Sequence, residues 1–132
     1  MAYYLDTSAA VKLVVAERDT AALTAWLADH DDEVVSSDLL RTELLRATRR
    51  GAPHAMPRAR AVLDSLTVLT VPTSTFERAA DLDPDLLRSL DAVHLAAALE
   101  LGDELDGLVT YDDRLADAAR VHGITVIAPS RR

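Results

Sequence analysis

Short apolar runs alternate along the chain with longer segments of helical periodicity. The runs are rich in β-branched or aromatic residues and show little alternation of apolar and polar positions, which is typical of strands buried on both faces of a sheet. They are AYYL (2–5), EVVS (33–36), TVLTV (67–71), GLVT (107–110) and ITVIA (124–128). Between them, apolar residues recur at spacings of three and four, as in Leu40, Leu44 and Ala47, and this spacing predicts helices.

Strands that alternate with helices predict an α/β fold with a mostly parallel five-stranded sheet flanked by helices. Gly102 and Gly123 stand where a helix should end and a strand begin, so they predict left-handed helix caps. No internal repeat, low-complexity tract or long linker interrupts the pattern, so residues 1–132 are predicted to form a single domain. The predicted helical segments are 8–15, 20–30, 38–50, 58–66, 74–82, 87–102 and 112–123.

The amino-acid composition limits the kinds of site that the chain can form. The chain has no cysteine, which excludes disulfides, zinc-thiolate clusters and iron-sulfur centres and suits a reducing cytoplasm, the expected location. No apolar stretch approaches the roughly 18 residues that span a bilayer, and no secretory leader pattern is present, so no contact with a membrane is expected.

The formal net charge of −8 argues against non-specific adhesion to nucleic acid. One segment departs from this average, because residues 41–60 carry arginines among which Glu43 is the only acid. This basic patch is either a solvated helix face or an interaction surface. Its arginines are Arg41, Arg46, Arg49, Arg50, Arg58 and Arg60.

Four acids stand out by their positions. Asp6 follows the first strand, Glu43 lies on the helix after the second, Asp91 lies near the start of a long apolar helix, and Asp112 follows the fourth strand. In open α/β sheets, ligands bind outside the carboxyl ends of strands, where the strand order reverses. If right-handed crossovers wind strands one to three one way and four to five the other, Asp6 and Asp112 flank that reversal.

Each acid also has a structural interpretation. Asp6 and Asp112 could cap helices, Asp91 could favour the dipole of a first helical turn, and Glu43 could pair with Arg46 at the surface. If the four acids lie close together, however, their charges repel one another. Two unit charges about 5 Å apart repel by about 3 kcal/mol at an effective dielectric constant of about 20. Clustered carboxylates therefore bind protons, destabilise the fold or bind a cation. An all-oxygen ligand set favours Mg²⁺ or Mn²⁺ over Zn²⁺.

The ordered motifs YLDTSA, RTELLRA, LRSLDAVHLAAAL and VTYDDRL resemble the PIN domain family, and in particular the VapC toxins of bacterial toxin-antitoxin systems. Each motif alone is short and common, but the ordered set covers nearly the whole chain. The resemblance implies a three-layer α/β/α fold and an Mg²⁺-dependent endoribonuclease, with Mn²⁺ as a substitute. It also implies an RNA substrate, a VapB-type antitoxin as partner and a homodimer.

The resemblance also implies roles for individual residues. Asp6, Glu43, Asp91 and Asp112 match the catalytic and metal-binding acids of the family. The last assignment follows the T-x-D pattern that begins at Thr110, which leaves neighbouring Asp113 as a competitor, a cap or a support.

Other side chains are expected around these acids. Thr7 and Ser8 either orient Asp6 or a water or simply begin a helix, and His94 either touches the site or is a satisfied core residue. The helix that carries Glu43 is expected to contact RNA phosphates. The residues expected to do so are Arg41, Arg46, Arg49 and Arg50.

Two other functions stay open at this point, and the sequence lacks the residues that two more would need. A PIN nuclease of RNA processing or DNA repair would carry the same acids, whereas a non-catalytic PIN-like binding module would be expected to lose some of them. A phosphoacceptor signalling domain needs an aspartate after the third strand and a lysine after the fifth, and TVLTVPTS and ITVIAPS supply neither. A dehalogenase-like phosphatase needs D-x-D after the first strand, which the run Asp6-Thr7-Ser8 does not match.

Overall fold

The computed structural model describes residues 1–130, in which five strands alternate with seven α-helices. The strands are β1 (Ala2–Leu5), β2 (Val34–Ser37), β3 (Thr67–Leu69), β4 (Leu105–Val109) and β5 (Val126–Ile127). The helices are α1 (Thr7–Val14), α2 (Thr20–Ala28), α3 (Leu39–Gly51), α4 (Met56–Ser65), α5 (Thr73–Ala80), α6 (Ser89–Leu99) and α7 (Asp113–Val121). Short 3₁₀ turns cover Asp31–Glu33, Pro53–Ala55 and Gly102–Glu104.

The strands form one parallel sheet in the order β3-β2-β1-β4-β5. Tyr4 in the central strand is paired with Val35 on one side and with Leu108 on the other. The strand order reverses between β1 and β4, which confirms the predicted winding. The carboxyl ends of these two strands therefore lie side by side at one edge of the sheet.

Successive residues of β1 point to opposite faces of the sheet and enter two separate cores. Leu5 packs with Leu44 of α3 and Leu63 of α4 on the face covered by α1 to α4. Tyr4 packs with Leu95 of α6 on the opposite face, which α6 and α7 cover, while α5 packs on α6. The result is the three-layer α/β/α arrangement that the resemblance implies.

The edge strands are shorter than the sequence predicts. The apolar runs 67–71 and 124–128 predict buried strands, but β3 has three residues and β5 has two, and no residue of either is fully buried. An edge strand has a hydrogen-bonding neighbour on one side only, so its apolar residues are only partly covered. The prediction of burial on both faces is therefore wrong for these two strands.

The two predicted glycine caps are confirmed. Gly102 has a φ of +56° and Gly123 a φ of +76°, a backbone region that side chains with a Cβ atom rarely adopt. Both residues turn the chain from a helix back toward the sheet, ahead of β4, which pairs with β1, and β5, which pairs with β4. Among residues 1–130, no helix is long and apolar enough to cross a membrane.

Candidate active site

A cavity of about 370 Å³ lies at the carboxyl edge of the sheet, beside the ends of β1 and β4. All four acids selected from the sequence line it, although they come from four separate parts of the chain. This is the crevice where open α/β sheets bind ligands. The lining residues are Asp6, Thr7, Ser8, Glu43, Arg88, Ser89, Leu90, Asp91, His94 and Asp112.

Asp6 is the most deeply buried of the four acids, with 3% of its surface exposed. Its Oδ1 caps α1 by accepting a hydrogen bond of 3.0 Å from the Ala9 N–H and also accepts one of 2.7 Å from the Ser8 hydroxyl. Its Oδ2 accepts a hydrogen bond of 2.5 Å from the Thr110 hydroxyl. Burial raises the pKa of the Asp6 carboxyl above its ordinary value, and these hydrogen bonds oppose only part of the rise.

Asp112 caps α7 as Asp6 caps α1. Its Oδ1 accepts hydrogen bonds from the N–H groups of Arg114 and Leu115, at 2.9 and 3.1 Å. Its own N–H donates to the Thr110 hydroxyl oxygen at 3.0 Å, so Thr110 joins Asp6 to Asp112. Asp113 is exposed in the first turn of α7 and does not line the cavity.

Asp91 lies in the first turn of α6, as the sequence predicts, and its side chain is 18% exposed. Burial raises the pKa of Asp91, and the negative charges of Asp112 and Asp6 raise it further. The opposing effect of Arg88 is incomplete, because its Nε lies 3.8 Å from Asp91 Oδ2 and its side chain is 69% exposed. Sequence reasoning missed Arg88, although its position three residues before Asp91 was a usable signal.

Glu43 is held by two donors that converge on one oxygen. The Thr7 hydroxyl donates to Oε1 at 2.6 Å, and His94 Nε2 lies 2.5 Å from the same atom. Burial alone would raise the pKa of Glu43, but the hydrogen bonds from His94 and Thr7 outweigh it, so the pKa lies below its ordinary value.

Two interpretations from the sequence change here. Glu43 does not pair with Arg46 at the surface, because its packing at the edge of α3 turns it toward His94 instead. Thr7 supports Glu43 rather than Asp6, since its hydroxyl extends across to α3, whereas Ser8 does contact Asp6 as expected. His94 is both buried and in contact with the site, with 1% of its surface exposed.

The donor set fits a hard divalent cation. The four acids, together with Thr7 and Ser8, bring oxygen ligands to the cavity. Burial raises the pKa of Asp6, and burial followed by the charges of Asp112 and Asp6 raises that of Asp91, so a cation would offset negative charge that the folded chain disfavours. Across residues 1–130, no three His, Asp or Glu side chains are clustered tightly enough to hold a metal ion as they stand. An ion such as Mg²⁺, which keeps several waters and needs only one or two carboxylates, suits this open arrangement. Its binding stays a prediction.

The basic patch lies outside the cavity. Its four arginines on α3 are exposed, and Arg41 is 3.6 Å from Asp38 in an ion pair. At about 100° per residue, Arg46 and Arg50 fall within about 60° of Glu43 on the helix circumference, while Arg41 and Arg49 project elsewhere. Arg46 and Arg50 therefore lie on the same side of α3 as Glu43, whereas the rest of the patch does not. Arg46 and Arg50 are named here the α3 stripe.

A doubly wound α/β domain with an acidic pocket at its switch point defines a general class of protein, and comparisons with known proteins narrow it. The PIN domain family model matches residues 3–121. Ribonuclease VapC46 of Mycobacterium tuberculosis is 45% identical over 129 residues, which cover 98% of each chain. Ribonuclease VapC47 of the same organism is 40% identical over 130 residues, which cover 96% of each chain.

The solved structures agree on the fold. The crystal structure of VapBC2 from Rickettsia felis bound to a promoter DNA fragment includes a chain that superposes with a TM-score of 0.75 at 14% identity, covering 96% of this chain and 98% of that one. The chain therefore belongs to the PIN domain family, as a protein of the VapC type.

Removing one carboxylate should relieve the repulsion in the cavity. We expect Asp91→Asn to raise the melting temperature in EDTA at neutral pH by about 4 °C for each ~1 kcal/mol of repulsion removed. The sign follows from the raised pKa, because the charged form is disfavoured in the folded state relative to the unfolded chain. The same variant should gain less stability from added Mn²⁺ than the unmodified protein, because a ligand is lost.

Differential scanning fluorimetry with and without Mn²⁺ measures both effects. Asp64→Asn is the matched control, since it changes the net charge equally at an exposed position on α4. A melting temperature in EDTA that falls in Asp91→Asn, or an Mn²⁺-induced shift equal in both variants, would contradict the expectation.

Proposed function

We propose that this protein is a metal-dependent endoribonuclease, the toxin of a VapBC-type toxin-antitoxin pair. The observation that carries the proposal is the convergence of four carboxylates at the switch point between β1 and β4. Relatives named Ribonuclease VapC, at 40–45% identity over nearly the full chain, support it.

In this proposal, Asp6, Asp91 and Asp112 would hold one or two Mg²⁺ or Mn²⁺ ions, directly or through water. A bound cation would supply positive charge at the phosphodiester and lower the pKa of a water for in-line attack. Thr110 and Ser8 keep the Asp6 carboxylate fixed, so little reorganisation is needed when phosphate arrives. Glu43 is ionised and immobilised, which suits it to orient the attacking water by accepting a hydrogen bond.

Cleavage should depend on both the acids and the metal. We expect Asp6→Asn and Asp112→Asn to lower kcat by about 100-fold or more, because one well-placed group at a charged transition state is worth that much. EDTA should abolish cleavage and excess Mg²⁺ or Mn²⁺ should restore it. By the family resemblance, the products carry 5′-phosphate and 3′-hydroxyl ends, which end-specific labelling would detect.

The assay uses purified protein, free of any partner, on structured RNAs. Asp113→Asn is the control, because this neighbouring acid lies outside the cavity and its loss should leave kcat within about 2-fold. Cleavage that persists in EDTA or in Asp6→Asn would contradict the proposal of a metal-dependent endoribonuclease.

RNA is expected to approach along the α3 stripe. With a rise of about 1.5 Å per residue, Arg46 lies about 4.5 Å and Arg50 about 10.5 Å beyond Glu43 along the helix axis. These separations suit contacts to consecutive phosphates of a strand whose scissile bond lies in the cavity. Neither arginine forms an ion pair with an acidic side chain of the described residues, so both are available for phosphate.

Charge reversal distinguishes the stripe from the rest of the patch. We expect Arg46→Glu to weaken RNA binding about 10-fold and to reduce the slope of log affinity against log salt by about one, the signature of one lost phosphate contact. Arg41→Glu changes the net charge equally on another face of α3 and should have a much smaller effect. Fluorescence anisotropy at several salt concentrations measures both, and equal losses in the two variants would contradict the stripe.

We further propose a VapB-type antitoxin as partner and a homodimer of the free toxin. The proposal is supported by membership of the VapC type and by a groove between α5 and α6 that is lined by apolar side chains together with Asp81 and Asp85. The groove adjoins the cavity and shares Ser89 and Leu90 with it. Phe76 lines this groove and is 51% exposed. An antitoxin segment on the groove would bury apolar surface and could place an Arg or Lys side chain among the carboxylates.

The antitoxin is expected to be encoded by a short reading frame just upstream and to co-purify with this protein in inactive form. Phe76→Glu should weaken that complex by about 10-fold or more and leave cleavage by the free toxin intact, because a charge would enter an apolar contact. Leu86→Glu, at a residue 94% exposed outside the groove, is the control. Affinity by calorimetry and mass by sedimentation velocity are the measurements, and a complex unaffected by Phe76→Glu would place the antitoxin elsewhere.

A further inference from the structure

Tyr4 and His94 are buried side chains with polar atoms whose contribution reaches beyond the mechanism above. Tyr4 of β1 is 0% exposed and His94 of α6 is 1% exposed, and both lie beside the apolar core of the α6 and α7 face. A buried hydroxyl or imidazole costs free energy unless it is hydrogen-bonded, and an apolar side chain of similar size would avoid that cost. Their hydrogen bonds therefore indicate what they do.

These side chains form one continuous series of contacts that ends at the cavity. The Tyr4 hydroxyl lies 2.7 Å from Ser37 Oγ and 2.7 Å from His94 Nδ1. His94 Nε2 lies 2.5 Å from Glu43 Oε1. The series joins β2, β1, α6 and α3, so it connects the middle of the sheet to the helix that carries Glu43.

The series has a defined direction at its cavity end. An ionised carboxylate can only accept hydrogen bonds, so Nε2 of His94 must carry the hydrogen that points at Glu43. The Tyr4 contact at Nδ1 adds a second fixed point to the buried imidazole ring, whose Nε2 also lies near Thr7 and Glu43, and so restricts its rotation further. The ring of His94 is also packed edge-on against that of Tyr4, with centroids 5.7 Å apart.

The two oxygens of Glu43 are therefore not equivalent. Within residues 1–130, both side-chain donors to Glu43, His94 and Thr7, converge on Oε1. Glu43 lines the cavity, its side chain is 21% exposed and neither of these donors bonds to Oε2, which leaves Oε2 available to groups in the cavity. A glutamate on a helix can sample many rotamers, and this arrangement selects one of them.

We propose that Tyr4 and His94 are positioning residues that act through Glu43. Tyr4 orients the His94 ring, and His94 holds Oε1 so that Oε2 is presented to a metal-bound or attacking water in the cavity. Partners that orient an acid in this way are commonly worth about 10-fold to 100-fold in metal affinity or activity. The consequence for catalysis rests on the proposed ribonuclease function, whereas the orientation of Glu43 does not.

Two variants of His94 separate positioning from mere filling of space. The amide nitrogen of Gln reaches the place of Nε2 and can still donate to Glu43, whereas the shorter Asn reaches only the place of Nδ1. Both are neutral polar residues, so a purely structural role would not favour Gln. Tyr4→Phe removes the contact at Nδ1, and Thr48→Val is its control, because it removes a buried hydroxyl of α3 that bonds only to the Leu44 carbonyl at 2.8 Å.

Steady-state cleavage and calorimetric titration with Mn²⁺ are the first two measurements. We expect His94→Asn and Tyr4→Phe to lower kcat at least 10-fold with the RNA KM within about 2-fold, and to weaken Mn²⁺ binding by a similar factor. His94→Gln and Thr48→Val should stay within about 3-fold in both. Equal losses in His94→Gln and His94→Asn, or in Tyr4→Phe and Thr48→Val, would overturn the proposal.

A third measurement needs neither metal nor RNA. Nitrogen-15 NMR of the imidazole should show a hydrogen on Nε2 of His94 in the unmodified protein and in Thr48→Val, and loss or broadening of that signal in Tyr4→Phe. An Nε2 without hydrogen, or a signal unchanged by Tyr4→Phe, would overturn the proposal. If the unmodified protein cleaves no RNA, the ribonuclease function fails, and the NMR result still decides whether Tyr4 and His94 orient Glu43.

Discussion

Four carboxylates surround one cavity, and the cost of placing their charge there is the constraint that the surrounding structure has to satisfy. Burial raises the pKa values of Asp6 and Asp91, and the charges of Asp112 and Asp6 raise that of Asp91 further. Three of the acids are held by hydrogen-bond donors, because Thr110 joins Asp6 to Asp112 and because Thr7 and His94 hold Glu43. Asp91 instead lies near the exposed Arg88, whose charge, with that of His94, opposes the rise of its pKa.

Structural and functional uses of an acid are compatible at the end of a parallel strand. Asp6 caps α1 and Asp112 caps α7, each through its Oδ1. Oδ2 of Asp6 accepts a hydrogen bond from Thr110, whereas Oδ2 of Asp112 takes no part in capping. A helix cap stabilises the folded protein by about 1 kcal/mol, which offsets part of the free-energy cost of placing carboxylates near one another. The same turn therefore starts a helix and places a carboxylate in the lining of the cavity, so one residue can serve both as a helix cap and as a candidate ligand.

The sequence was sufficient to predict the sheet order and the positions of Asp6 and Asp112, because both follow from where strands end. Glu43 and Asp91 were selected instead from the apolar pattern of the helices that carry them. The sequence was insufficient wherever a side chain crosses between elements. Nothing in YYLDTSA indicates that Thr7 extends to Glu43 and Ser8 to Asp6, since that depends on how α1 packs on α3. The contact of Tyr4 with His94 joins residues 90 positions apart, so no local pattern predicts it. The strands β3 and β5 are shorter than predicted because burial at the edge of a sheet depends on neighbouring elements, which the local sequence does not encode.

An acidic protein can still present a local surface for a polyanion, because the two properties act over different distances. At physiological ionic strength the Debye length is about 8 Å, so most of the net charge of −8 is screened from a strand bound at one helix. Arg46 and Arg50 lie within about 11 Å of Glu43 along α3, so they contribute more to the potential that such a strand meets than charges on the far side of the protein. If the protein is the proposed ribonuclease, the negative cavity beside them would repel a phosphate until a cation is bound there. Tight binding of RNA would then be coupled to occupancy of the acidic site, because carboxylates without a cation disfavour a bound but uncleaved strand.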